Sequence, residues 1–157
     1  MLLAGMLWAL AATVCMTTCL EGGRLLGFSR LSLPLVLGTW FSHRRDRATV
    51  IGFVVYVLGG WLFAAVYVGL FVTLGGAGAL LGLLFGMVHG LFLLTMLGIV
   101  PHVHPHMASD YARPSATPRL EPPGSFGLNY GYGTPAVTLL GHAVYGVVLG
   151  FGMSGQV

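Results

Sequence analysis

Four apolar stretches without a charged residue dominate the hydropathy pattern of this chain, over residues 1–20, 48–74, 78–100 and 134–153. A helix of about 20 apolar residues crosses a hydrocarbon core of about 30 Å. Because the bilayer core offers the backbone no hydrogen-bond partner, stretches of this kind fold as helices. The pattern therefore predicts an all-α, polytopic membrane protein, with four transmembrane helices in a single domain over residues 1–157.

The charged residues lie in two connecting segments, 21–47 and 101–133, and the seven cations there are all arginines. An excess of basic residues in loops is typical of the cytoplasmic side of a membrane. We therefore expect both loops in the cytoplasm and both chain termini outside. With only 7% charged residues, the chain differs from soluble domains, which carry about 25%. The net charge of +3 reflects this topology and indicates no nucleic-acid partner.

The first loop contains a short apolar run, residues 31–41, that is too short to cross a membrane. Runs of this length are typical of interfacial or re-entrant segments. Pro34 and Gly38 interrupt any long helix here. We therefore expect a short re-entrant or interfacial segment after the first transmembrane helix.

The second loop carries six of the eight prolines of the chain, together with Phe126, Leu128, Tyr130 and Tyr132. A flexible linker has few large apolar groups. The loop is therefore expected to fold back onto the cytoplasmic end of the bundle, or onto a partner.

Small residues recur at every fourth position of the third and fourth predicted spans. In lipid, such residues mark the faces where helices pack closely. These two spans are therefore expected to contact each other through their glycines, which we take as interface residues. They are Gly82, Gly86 and Gly90 in the third span, and Gly146 and Gly150 in the fourth.

Two histidines, His89 and His142, lie within the predicted spans. At a rise of 1.5 Å per residue they lie ~16 Å and ~12 Å from the cytoplasmic ends of their helices, hence at similar depth. Polar residues inside a bilayer are costly and suggest a function. One interpretation is axial ligation of a haem or a chlorophyll-type pigment, and another is proton relay. The alternative is interhelical hydrogen bonding, for example from His142 to Tyr145 or to His89. Close packing of glycine-rich helices argues against a porphyrin slot.

Three further histidines, His102, His104 and His106, alternate at the start of the second loop. In an extended segment they share one side, and imidazole suits zinc, copper or nickel. A stable structural site usually needs four ligands, so the alternative is a loop in contact with water or headgroups.

Seven stretches carry a resemblance to known proteins: LPLVLGT, RDRA, GGWLFA, GMVHG, HPHMA, GLNYG and HAVYG, beginning at residues 33, 45, 59, 86, 104, 127 and 142. In this order they resemble an uncharacterised family of small bacterial four-span membrane proteins, over nearly the whole chain. The resemblance implies a fold and a location in a bacterial inner membrane, but no activity. His102 and His106 look like a departure from the family pattern.

The residues suggest no enzyme, because no nucleophile is placed with a base and an orienting group, and there is no phosphate-binding loop. We predict a non-enzymatic accessory or stabilising subunit of a larger membrane complex, such as a respiratory or photosynthetic one. Its partners would be the lipid bilayer and other membrane subunits. Two alternatives stay open: a haem- or pigment-binding redox protein that uses His89 and His142, and a small transporter or proton-handling protein.

Overall fold

The computed structural model describes residues 2–108 and 119–157, leaving out the side chain of Leu2, and these residues are mainly helical. Four helices in this part of the chain are long and apolar enough to cross a membrane, as predicted. Two short helices and one 3-10 segment occupy the connecting loops. The elements are α1 (Leu2–Leu25), α2 (Leu33–Gly38), α3 (Arg45–Thr73), α4 (Ala79–Leu97), α5 (Val100–Val103), the 3-10 segment Ser125–Tyr130 and α6 (Thr134–Met153).

Two of the long helices, α1 and α3, end in a glycine motif. After α1, Gly27 adopts a φ of +79°, and the N–H of Phe28 donates to the carbonyl of Gly23. After α3, Gly75 has a φ of +74°, and the N–H of Gly76 donates to the carbonyl of Phe71. A glycine in the left-handed conformation followed by this bond is the Schellman motif, which satisfies the last carbonyls of a helix. The turn at residues 74–78 joins α3 and α4.

The predicted apolar run of the first loop forms the six-residue helix α2. Ser32 caps its start and Pro34 lies in its first turn, where a missing N–H is tolerated. The helix lies against the beginning of α3. A Cβ atom on Gly38 would come within 2.8 Å of the Gly52 nitrogen, and one on Gly52 would overlap the carbonyl of Pro34. Glycines at both positions therefore allow the two backbones to touch.

Helix α6 lies between α1 and α4 and makes the most extensive contacts in the bundle. Its contact with α4 is between backbones: a Cβ on Gly82 would overlap the Gly146 carbonyl, at 2.0 Å. The predicted glycine packing of these two spans is confirmed. Helix α3 packs against α1 and α2 instead, with Gly60 against Thr13 of α1.

The two charged loops meet at one end of the bundle. The Arg30 guanidinium forms a two-point ion pair with the Glu121 carboxylate, at 3.0 and 3.2 Å. The backbone N–H of Arg30 donates to the Tyr130 carbonyl at 2.7 Å. The second loop therefore folds back onto the bundle end over residues 119–133, as expected. Of its large side chains Tyr130 is buried, whereas Phe126 and Tyr132 are exposed.

Candidate functional site

A cavity of about 390 Å³ lies between α3 and α4. Its wall is mainly apolar and comes from α2, α3, α4 and α6, with α1 contributing Met16. Large aromatic side chains fill the rest of the space between α3 and α4: Phe71 stacks on Phe85 with ring centroids 5.5 Å apart, and Tyr67 meets the same ring edge-on. The helices are held apart by these side chains, and the cavity is the part of the gap that they leave open.

Two glycines of α3, Gly59 and Gly60, line the cavity. Gly59 lines it, and a Cβ at this position would meet no atom within 4 Å. Gly60 is fixed by α6, because the Tyr145 hydroxyl donates to the Gly60 carbonyl at 2.6 Å. Tyr145 is only 1% exposed, so this bond joins α3 to α6 in the interior of the bundle.

His142 of α6 lines the cavity and also lies at the contact between α4 and α6. A Cβ on Gly86 would overlap the His142 carbonyl and one on Gly90 would lie 3.1 Å from the His142 Cβ, so the α4 glycines make room for this residue. Its Nδ1–H donates to the Thr138 carbonyl, one helical turn earlier, at 2.8 Å. The suggestion that His142 forms an interhelical hydrogen bond to Tyr145 or His89 is therefore wrong: its hydrogen bond lies within α6.

His89 of α4 lies beside His142, with ring centroids 4.7 Å apart and planes at 77°. On its other sides the ring packs on Phe63, with centroids 3.9 Å apart, and meets the Tyr67 hydroxyl at 3.3 Å from Nδ1. The predicted pairing of the two histidines at one depth is confirmed by this contact. The cavity on the α3 side was not expected, because the prediction considered only the close α4–α6 face.

The geometry of His89 and His142 bears on their predicted role as ligands of a haem or pigment. The imidazoles touch edge to face, so a macrocycle ligated by both rings has no room between them. Among the described residues that line the cavity, none is a lysine or arginine that could pair with a propionate. Binding of a haem or pigment between His89 and His142 is therefore disfavoured in this conformation.

The three loop histidines do not converge on one point. His102 is exposed, whereas His104 is buried against α2. The His104 Nε2–H donates to the Val36 carbonyl at 3.1 Å, and its Nδ1 accepts the backbone N–H of His106 at 3.1 Å. His106 bonds the Thr39 carbonyl through its own Nδ1. In the described part of the chain, no three His, Cys, Asp or Glu side chains are placed to hold a metal ion.

These contacts instead attach α2, one wall of the cavity, to the second loop. The Trp40 ring meets His104 edge-on at 4.9 Å, and Trp40 and Val36 both line the cavity. Burial lowers the pKa of His104, with the Val36 hydrogen bond acting in the opposite direction and the nearby His106 adding to the decrease. A neutral His104 therefore stabilises the position of α2.

The interface glycines are all used inside the chain. Gly82, Gly86 and Gly90 face α6, and Gly146 and Gly150 face α4. They are therefore not available for contact with another subunit. The sequence analysis did not assign two residues to the site. Thr138 had a usable signal in its position four residues before His142, whereas only the three-dimensional gap reveals the role of Gly59.

No protein family, curated protein or solved structure matches this chain. The family resemblance of the seven stretches therefore stays a prediction. A function is therefore inferred from the cavity and the side chains around it.

Proposed function

We propose that this chain is a non-enzymatic membrane protein that binds a small lipophilic molecule in the cavity between α3 and α4. A single observation carries the proposal: a mainly apolar cavity of about 390 Å³ that is lined by residues of all four long helices and by two histidines. Small-molecule sites are typically concave, apolar and about 300–1,000 Å³ in size, with a few polar groups at defined places. His89 and His142 are such groups.

The proposal is supported by the ease with which a larger side chain could occupy the cavity. A larger residue at Gly59 would meet no neighbour within 4 Å, so the space is not a by-product of close helix packing. An empty apolar space of this size destabilises a bundle through lost dispersion contacts. A bound lipophilic molecule would restore those contacts.

The test is extraction of small molecules from the protein purified from its native membranes, followed by mass spectrometry. Gly59→Leu would place a large side chain in the cavity. Gly69→Leu is the matched control, since Gly69 is exposed on the same helix and also has no atom within 4 Å of a Cβ. We expect a molecule that accompanies the wild type and Gly69→Leu at fixed ratio and is lost from Gly59→Leu. Equal recovery from all three proteins would contradict the proposal.

We also propose that the arginine end of the bundle faces the cytoplasm of a bacterial inner membrane. The support is that Arg30 and Glu121 join both charged loops at one end, and that basic loops stay inside. Both termini are then outside, and α2 is a re-entrant or interfacial segment at the inner boundary. Alkaline phosphatase fused after residue 157 should be active and green fluorescent protein dark; the reverse pattern would overturn this orientation.

A second candidate function is that of an accessory subunit in a larger membrane complex, such as a respiratory or photosynthetic one. One observation favours it: apolar side chains are exposed at the loop end, with Tyr132 at 93% and Leu25 at 88% exposure. Purification in mild detergent should then yield partners at fixed ratio, and Tyr132→Ser should reduce their recovery. A particle of the chain alone would count against this candidate.

A further inference from the structure

The hydrogen bonds of His142 determine which of its ring nitrogens carries the proton. A carbonyl oxygen can only accept, so the Nδ1 atom that lies 2.8 Å from the Thr138 carbonyl must be the protonated one. In the neutral ring, Nε2 then has a free lone pair. This nitrogen makes no hydrogen bond to any described residue. His142 therefore presents an acceptor.

In His89 the proton lies on the other ring nitrogen. Tyr67 is buried, and His89 Nδ1 is the only partner that its hydroxyl has among the described residues. Since a buried hydroxyl proton needs an acceptor, the Tyr67 O–H donates to Nδ1. In the neutral ring the proton then lies on Nε2, which also makes no hydrogen bond within the described chain. His89 therefore presents a donor.

Neither Nε2 atom is sealed inside the protein. Within the described residues, Trp61 Nε1 is the only buried side-chain nitrogen or oxygen that is sealed without a partner. His142 is only 3% exposed, so its unpartnered Nε2 can open onto nothing but the cavity that it lines. His89 lines the same cavity. One donor and one acceptor thus meet in a mainly apolar space.

We propose that the cavity selects a lipophilic molecule with a hydroxyl group, such as a phenol or a quinol, held between His89 and His142. This inference rests on the proposed function and names its ligand class. The hydroxyl oxygen accepts the His89 Nε2–H, and the hydroxyl proton is donated to His142 Nε2. One oxygen can bridge two nitrogens up to about 6 Å apart, which is compatible with ring centroids 4.7 Å apart.

Other head groups satisfy the pair less well. A ketone, quinone or ether oxygen only accepts, so it would leave the His142 Nε2 unpaired in an apolar space, at a cost in affinity. A carboxylate would need a cation, and no lysine or arginine is among the described residues of the cavity wall. A neutral hydroxyl both donates and accepts.

The experiment compares para-pentylphenol with its methyl ether, para-pentylanisole, by calorimetry on the protein in lipid nanodiscs, with empty nanodiscs to correct for partition. The two probes share an apolar body, and only the phenol can donate. We expect the phenol to bind about tenfold more tightly to the wild type, as one lost hydrogen bond in a buried site implies. His142→Phe should remove this preference and leave the ether binding unchanged.

Gly59→Leu should weaken binding of both probes to the same extent, because it occupies part of the cavity and leaves the polar pair in place. Equal binding of phenol and ether to the wild type would overturn the hydroxyl proposal while leaving a cavity that binds lipophilic molecules. A preference that persists in His142→Phe would overturn it as well. If neither probe binds, this proposal fails, and the extraction experiment decides separately whether another lipophilic molecule occupies the cavity.

A second measurement keeps the inference testable if a variant does not fold. Nitrogen-15 spectra of wild-type protein with labelled histidine distinguish protonated from unprotonated ring nitrogens. We expect His142 with Nδ1 protonated and His89 with Nε2 protonated, and a shift of the His142 Nε2 resonance with the phenol but not with the ether. The reverse pair of tautomers would overturn the proposal.

Discussion

Helix α4 packs differently on its two sides. Toward α6 it presents glycines, and the two backbones touch, so that a single Cβ on Gly146 would lie 2.0 Å from the Gly82 carbonyl. Toward α3 it presents Phe85 and His89, which meet Tyr67 and Phe71 ring to ring. Small residues bring helices together, whereas large aromatic residues hold them apart. The closed side stabilises the bundle, and the open side leaves the space that can bind a ligand.

The closed side is most sensitive to an added side chain. Gly146→Val would place carbon atoms against the Gly82 carbonyl, where the backbone cannot yield easily. We expect a loss of about 3 kcal/mol of stability, at the upper end of the usual range for overpacking. Thermal unfolding in detergent measures it. Gly69→Val, in open space, is the control and should change stability little; equal effects would show that the α4–α6 contact is not tight.

A smaller effect is expected at the border between the two sides. Tyr145→Phe removes the hydroxyl that donates to the Gly60 carbonyl and joins α6 to α3. Hydrogen bonds between membrane helices contribute about 0.6 kcal/mol on average and at most about 1.7. We expect a loss of about 1 kcal/mol in the same unfolding assay. Tyr132→Phe, on an exposed ring, should leave stability unchanged.

The open side should tolerate, and even gain from, an added side chain. Gly59→Leu fills part of the cavity and replaces a glycine inside a helix. We expect a stabilisation of about 1 kcal/mol from the higher helix propensity, with an additional gain from new contacts. Gly69→Leu supplies the propensity term alone. A Gly59→Leu protein that is less stable than Gly69→Leu would show that the space is not open.

The wall formed by α2 should respond weakly to pH. Burial lowers the pKa of His104 in the folded protein, below its value of about 6.5 in an unfolded chain. Below about pH 6.5 the unfolded chain binds the additional proton, so the contribution of His104 to stability decreases as the pH falls. Protonation would also disrupt the bond from the His106 N–H to Nδ1.

Hydrogen exchange of the α2 amides, measured from pH 7.5 down to 5.5, tests this prediction after correction for the intrinsic rate. We expect faster opening at the acidic end in the wild type and no such trend in His104→Gln. A trend that survives the substitution would place the titrating group elsewhere.

The sequence alone was sufficient for the spans and the glycine contact. Charge-free stretches determine where helices cross lipid, because no other backbone structure satisfies its hydrogen bonds there. Pro34 and Gly38 limit α2 to six residues. Glycines at every fourth position place α4 against α6, since only they permit the observed approach.

The packing between helices determined where the cavity lies and which nitrogens of His89 and His142 lack a partner among the described residues. In a uniformly apolar helix the hydrophobic pattern does not distinguish a lipid-facing from a buried position, so the rotation of α3 toward α4 is not encoded in that pattern. The separation of these helices depends on how Tyr67, Phe71, Phe85 and His89 fit together. The tautomers depend on Thr138 and Tyr67, a local and a distant partner. Side-chain packing across helices, rather than composition, therefore created the candidate site.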